Sequence, residues 1–189
     1  MSQRIPNQSL TLSFGRPDAS ECACRLEKEV RAYDLLEQLG IAYQRVDHPA
    51  AQTIHDCEDV DLLLGIPICK NLFLTNSQKT RFYLLLIPGE KKFRTAVLSK
   101  QIGSSRLSFG GPEDMERLLD ITPGSVSVLG LMNDKDHQVQ LLIDRDAVEN
   151  REFFACHPCI NTSSVKFLTT DLMEKFLPFV GHEPIFVDL

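Results

Sequence analysis

Residues 69–88 constrain this chain more than any other stretch. "CKNLFLTN" and "RFYLLLIP" are two apolar runs of strand length separated by the polar turn "SQKT", an arrangement that marks a β-hairpin. Upstream of it, Leu26, Val30, Tyr33, Leu36 and Leu39 recur at helical spacing and stop at Gly40, a residue suited to a left-handed helix end. "IAYQRVDHP" reads as a short strand ended by Pro49, and the acidic "HDCEDVDLLLG" as a second helix with Thr53 as its N-cap. Downstream, "GGPEDMERLLDI" has Pro112 at the first helical position and Glu113 and Asp114 in the first turn, where the macrodipole favours them.

"PGSVSVLGL" and "QVQLLI" read as two more strands. A short helix after Asp144, a loop at "FFACHPCINT", a strand at "SSVKF", a helix from about Asp171 to Leu177 and a last strand at "IFV" complete the chain. Strands and helices mix without βαβ alternation, which favours an α+β fold with a largely antiparallel or mixed sheet over a doubly wound one. At 189 residues and 43% hydrophobic, the chain suits one compact domain. Residues 1–24 are expected to be an N-terminal tail or lead-in, and 25–189 a single domain.

No apolar run is long enough for a signal peptide or a membrane span, so a cytoplasmic location is expected, without membrane partners. In that reducing compartment the six cysteines read as thiols or ligands. The net charge of −6 is unevenly spread. Residues 70–106 carry eight basic side chains against Glu90 alone, a net +7 that leaves −13 for the rest. If they share a face, these cations suit phosphates, while the acidic remainder limits non-specific polyanion binding. DNA is not an expected partner.

Cys156, His157 and Cys159 could be metal ligands, a Cys/His catalytic pair or a turn containing sulfur. A structural zinc site needs four ligands, and the only other close pair is Cys22-x-Cys24 near the terminus. A redox C-x-x-C wants a βαβ context that is missing, and neighbouring Cys156 and His157 would point apart in an extended loop. No nucleophile elbow, P-loop or G-x-G-x-x-G is present. Isolated polar residues at strand ends remain: Lys70, Asn71, Gly124, Ser125 and His157.

Taken in order, "HPAAQT", "CKNLFLTN", "YLLLIPGEKKF", "SFGGPEDMERLLDITPGSVSVLGLMND" and "CHPCINTSSVKF" resemble the motifs of the YbaK/prolyl-tRNA synthetase-associated domain family, over roughly residues 26–186. Within it they look most like the free-standing ProX or PrdX-type alanyl-tRNA(Pro) deacylases. The resemblance implies a mixed, barrel-like sheet with flanking helices. It implies trans-editing hydrolysis of the ester joining alanine to tRNA(Pro), with cysteine as an alternative amino acid. A non-catalytic aminoacyl-tRNA- or nucleic-acid-binding regulator on the same fold is the competing reading.

By the same resemblance the family's essential lysine falls on Lys70, its neighbouring asparagine on Asn71 and its pocket histidine on His157. Gly124 and Ser125 would present backbone N–H groups to the reacting carbonyl or the water. Thr53, Lys91, Lys92 and Arg94 are expected to bind substrate. No cofactor or metal is implied, and the expected partners are mischarged tRNA(Pro) and, as a further candidate, prolyl-tRNA synthetase. One departure is visible: the family's Gly-x-x-x-Pro loop reads Gly124-Ser125-Val126-Ser127-Val128, with valine in the proline position.

Overall fold

The computed structural model describes residues 10–50 and 58–189. In chain order the first elements are β1 (Thr11–Phe14), α1 (Ala19–Cys22), α2 (Glu27–Gln38), β2 (Tyr43–Asp47) and α3 (Glu58–Leu64). The expected hairpin follows as β3 (Lys70–Asn76) and β4 (Phe82–Ile87), then α4 (Thr95–Gln101), β5 (Leu107–Phe109) and α5 (Pro112–Leu119). A 3-10 helix (Val128–Asn133) leads into β6 (Val139–Asp144), a further 3-10 turn (Arg145–Ala147), β7 (Phe153–Cys156) and β8 (Ser163–Leu168). The chain closes with α6 (Thr169–Asp171), a π-turn (Leu172–Phe176), α7 (Leu177–Val180) and β9 (Ile185–Val187). No helix among the described residues is long and apolar enough to cross a membrane.

Two sheets form, and among the described residues neither closes into a barrel. The order is β1-β2-β8-β7 in the first, antiparallel throughout, and β5-β3-β4-β6-β9 in the second. There β3 pairs antiparallel with β4 and β5, while β4–β6 and β6–β9 are parallel. The fold is therefore α+β as expected, with two separate sheets in place of a barrel-like one.

The hairpin is the centre of the molecule because both of its faces are covered. Phe73, Leu84 and Leu86 point into the main core with Tyr33 and Leu36 of α2, Leu118 of α5, and Phe154 and Phe167 of the other sheet. Leu74, Tyr83, Leu85 and Ile87 point the other way, against Leu98 of α4. Every residue of β4 is buried, which is why its sequence is a continuous apolar run and does not alternate. The Asn76 side chain shapes the turn by accepting the N–H groups of Thr80 and Arg81 at 2.9 and 3.1 Å, and Lys79 takes the left-handed conformation (φ 53°). Gly40 (φ 61°) ends α2 as its position suggested, with the Ile41 N–H bonded back to the Leu36 carbonyl.

Three readings of the sequence differ from the structure. Part of the expected irregular lead-in is ordered: β1 pairs with β2, Leu10 and Leu12 pack on Val46 and Ala155, and Asp18 caps α1. "PGSVSVLGL" is not a strand. Gly124 turns left-handed (φ 86°) and Ser127 caps the following 3-10 helix by accepting the Leu129 N–H, and both events break an extended path. "FFAC", expected in a loop, is strand β7, a four-residue segment whose pairing with β8 supplies what so short a run cannot show in one dimension.

Candidate active site

Strand β3 begins at the residues singled out above, and its pleat separates them. Successive side chains alternate between faces, so Asn71 lies on the side of Phe73 and the main core, and Lys70 on the side of Leu72, Leu74 and α4. The Lys70 ammonium donates to the Lys91 carbonyl at 3.0 Å. Asn71 donates from Nδ2 to the Cys69 carbonyl at 2.9 Å, and its Oδ1 accepts the Val128 N–H at 2.7 Å. Val128 is the residue in the proline position. Proline has no N–H to give, so the departure from the loop pattern creates the bond that fixes the Asn71 carboxamide.

The loop before Val128 is built by Ser125. Its buried hydroxyl donates to the Thr122 carbonyl at 2.9 Å and accepts the Thr122 N–H at 3.0 Å. Its backbone N–H, expected to face the substrate, is instead taken up by the Thr122 carbonyl at 2.9 Å because the chain turns tightly here, so Ser125 serves the loop and offers no free donor. Gly124 is exposed, and within the described residues its N–H and that of Val126 make no hydrogen bond. Ser127 ties this loop to the next by donating to the His157 carbonyl at 2.5 Å. Asn71, the 124–128 loop and His157 thus form one connected group. Lys70, held on the opposite face, is not bonded to it.

His157 has a determinate proton. Its Nδ1 lies 2.9 Å from the Ser163 carbonyl, and a carbonyl can only accept, so Nδ1 carries hydrogen. Burial, with a smaller contribution from nearby His48, lowers its pKa to about 4 against a partial opposing effect of the Ser163 bond. At neutral pH the ring is uncharged, and Nε2 keeps a lone pair. Such a group accepts a hydrogen bond well and is too weak a base to deprotonate water efficiently.

Sequence reasoning gave no role to the residues behind it. The His48 ring lies 5.8 Å from that of His157, tilted by 45°, with Nδ1 2.8 Å from the Pro49 carbonyl and Nε2 2.9 Å from Ser164 Oγ. Ser164 Oγ lies 3.2 Å from His157 Nδ1 and so bridges the two rings. The Ser164–His48 distance is that of a nucleophile and its base, but Ser164 is 0% exposed and cannot reach a substrate. It orients the imidazoles. Both residues lie inside stretches that had been singled out, "HPAAQT" and "SSVKF"; only their proximity across 116 residues was hidden.

Cys69, Cys156 and Cys159 are packing thiols. Burial raises Cys69 and Cys159 to about 12 and Cys156 higher still, so none is a thiolate at neutral pH. Among the described residues no group of three or more His, Cys, Asp or Glu side chains is arranged to hold a metal. Of the expected substrate-binding cations, Lys91 is committed within the fold, bridging Asp144 at 2.8 Å and Asp146 at 2.8 Å. Partial burial works against its charge, but the two carboxylates hold its pKa above the ordinary value. Lys92 and Arg94 are exposed. Thr53 lies outside the described residues.

The family model for the aminoacyl-tRNA editing domain matches residues 48–175. The chain is 32% identical over 147 residues to the Prolyl-tRNA editing protein ProX of Acetoanaerobium sticklandii, covering 78% of this chain and 88% of that relative. It is 28% identical over 167 residues to the Xenopus laevis Prolyl-tRNA synthetase associated domain-containing protein 1, covering 86% and 96%. A solved structure provisionally assigned as a trans-editing enzyme for prolyl tRNA synthetase superposes with a TM-score of 0.64 at 16% identity, over 87% of this chain and 99% of that one, and shares its fold.

Proposed function

The chain belongs to the aminoacyl-tRNA editing domain family, and from this premise we propose that it is a trans-editing hydrolase that removes alanine from mischarged tRNA(Pro). The observation that carries the reading is a polar cluster with no activated nucleophile. Asn71, the Gly124 loop and a neutral His157 gather at one place, while every nearby thiol is protonated and Ser164 is enclosed. An aminoacyl ester is already activated, so its hydrolysis needs a placed water and stabilisation of the developing oxyanion, and no protein nucleophile.

In this mechanism the free N–H groups of Gly124 and Val126 receive the carbonyl oxygen as it gains charge. His157 Nε2 accepts a hydrogen bond from the substrate's α-ammonium or ribose hydroxyl and so orients the ester. Asn71 holds the loop at its working distance through Val128. Lys70 leaves the Lys91 carbonyl and turns around the open start of β3, adding positive charge beside the ester or the terminal phosphate. Water attacks, the ester C–O bond breaks, and alanine and the 3′-terminal ribose hydroxyl are the products.

The choice of alanine follows from what a synthetase cannot do. A pocket shaped for proline gains only about 1–3 kcal/mol per methylene and cannot strongly refuse a smaller side chain. A second, smaller pocket that admits alanine and excludes proline corrects the error, with prolyl-tRNA synthetase as the partner in that division of labour. Deacylation assays with alanyl-, cysteinyl- and prolyl-tRNA(Pro) test this. Turnover of alanyl-tRNA with prolyl-tRNA untouched is expected; preferential cleavage of the cysteinyl ester would move the specificity, and no turnover of any would leave a binding protein. Lys70→Ala is expected to lower kcat by about 100-fold or more with melting unchanged, and a loss below about tenfold would remove Lys70 from the reacting centre.

A further inference from the structure

We propose that Phe109, buttressed by Phe93, is a stacking platform for an unpaired base of the tRNA 3′ end. Phe109 ends the short edge strand β5 and is 63% exposed. It pairs across from Leu74, so it faces the same side of the sheet as Leu72 and Lys70. Phe93 meets it edge-on, with centroids 6.3 Å apart and planes at 66°, and is itself packed partly into the cluster beneath α4. One face of a fixed aromatic ring is thus presented to solvent, on Lys70's side of the sheet and four residues along β3 from it, about 13 Å at strand rise.

A single exposed phenylalanine is ordinary. The charge along the stretch leading to this one is not. Lys79, Arg81, Lys92, Arg94, Lys100 and Arg106 have no carboxylate partner within the described residues. Among the described residues elsewhere, most exposed cations are paired, as in Arg117–Asp114, Arg145–Glu149 and Lys175–Asp171. The uncompensated charge is therefore concentrated in the stretch that holds both rings, and Lys92 and Arg94 flank Phe93 directly. An exposed ring beside unspent cations fits a single-stranded nucleic acid, whose bases stack on aromatics while its phosphates meet the charge. A strand whose terminal ester lies at Lys70 would carry a neighbouring base over Phe109.

This inference rests on the tRNA-editing reading, and its test separates the two. Uncharged tRNA with a fluorescent cytosine analogue in its unpaired 3′ end is titrated with the protein and with Phe109→Ala, Phe109→Leu and Phe109→Tyr. Stacking predicts quenching by the unsubstituted protein and by Phe109→Tyr. It predicts little quenching and roughly 5- to 100-fold weaker binding for Phe109→Ala, with Phe109→Leu also unquenched. In hydrolysis, Phe109→Ala should raise KM with kcat nearly constant. Equal affinity and quenching in Phe109→Ala would overturn the platform, as would unchanged RNA affinity joined to a loss of self-association in sedimentation, which would assign the ring to a second copy of the chain. Quenching without any ester hydrolysis would overturn the editing reading and leave the platform standing.

Discussion

At the scale of single residues, His157 makes a prediction with a definite sign. Its pKa is about 6.5 when unfolded and about 4 in the fold, so the unfolded chain binds more protons between these values. The contribution of a neutral, hydrogen-bonded His157 is fully present above about pH 6.5 and is lost progressively as the pH falls towards 4. His157→Gln cannot titrate. The unfolding free energy of the unsubstituted protein minus that of the variant should therefore be flat above pH 6.5 and fall by up to about 3 kcal/mol by pH 4. A difference constant across that window would mean that the ring is not held neutral. Lys91 carries the opposite lesson. Sequence placed it among the phosphate-binding cations, but its ammonium already serves Asp144 and Asp146, so of the three expected cations only Lys92 and Arg94 are exposed.

At the scale of elements, the short helix after Ser127 is tied to β3 by one backbone hydrogen. Val128 opens that helix, a position where proline fits sterically, so the substitutions Val128→Pro and Val128→Ala separate two causes. Alanine removes the two buried γ-methyl groups and proline redraws them into its ring, but only proline removes the N–H given to Asn71 Oδ1 at 2.7 Å. Val128→Pro should be less stable than Val128→Ala by about 1 to 3 kcal/mol in denaturant unfolding, the cost of leaving a partly enclosed carbonyl unpaired. Equal stabilities would show that the bond does not hold the loop. The sequence misread this element as a strand because its apolar residues are legible and its capping geometry is not: Ser127 becomes a cap only when the chain has already turned at Gly124.

At the scale of the whole molecule, Asp134 joins the end of the chain to its middle. The carboxylate is almost fully buried, accepts the Gln138 and Val139 N–H groups at 2.9 and 2.8 Å, and meets His182 Nε2 at 3.1 Å, while His182 Nδ1 lies 3.0 Å from the Val180 carbonyl. These bonds set the start of β6 against the segment leading to β9. Asp134→Ala leaves the buried Val139 N–H and the His182 ring without their partner and is expected to cost about 2 to 3 kcal/mol, seen as a lowered Tm; a loss under about 1 kcal/mol would show the link to be dispensable. The hairpin, the helices α2 and α5 and the last strand could be read from sequence, because periodicity and turn residues act over a few neighbours, while Lys70, Asn71 and His157 were singled out by resemblance to a family. What tertiary structure alone decided is which of them meet: that Asn71 joins Val128 across 57 residues, that His157 rests on His48 and Ser164, that Lys70 faces Phe109's side of the sheet, and that two sheets form in place of one barrel. Those outcomes depend on strand pairing and face assignment between distant segments, which a one-residue change of register would reverse and which local pattern does not encode.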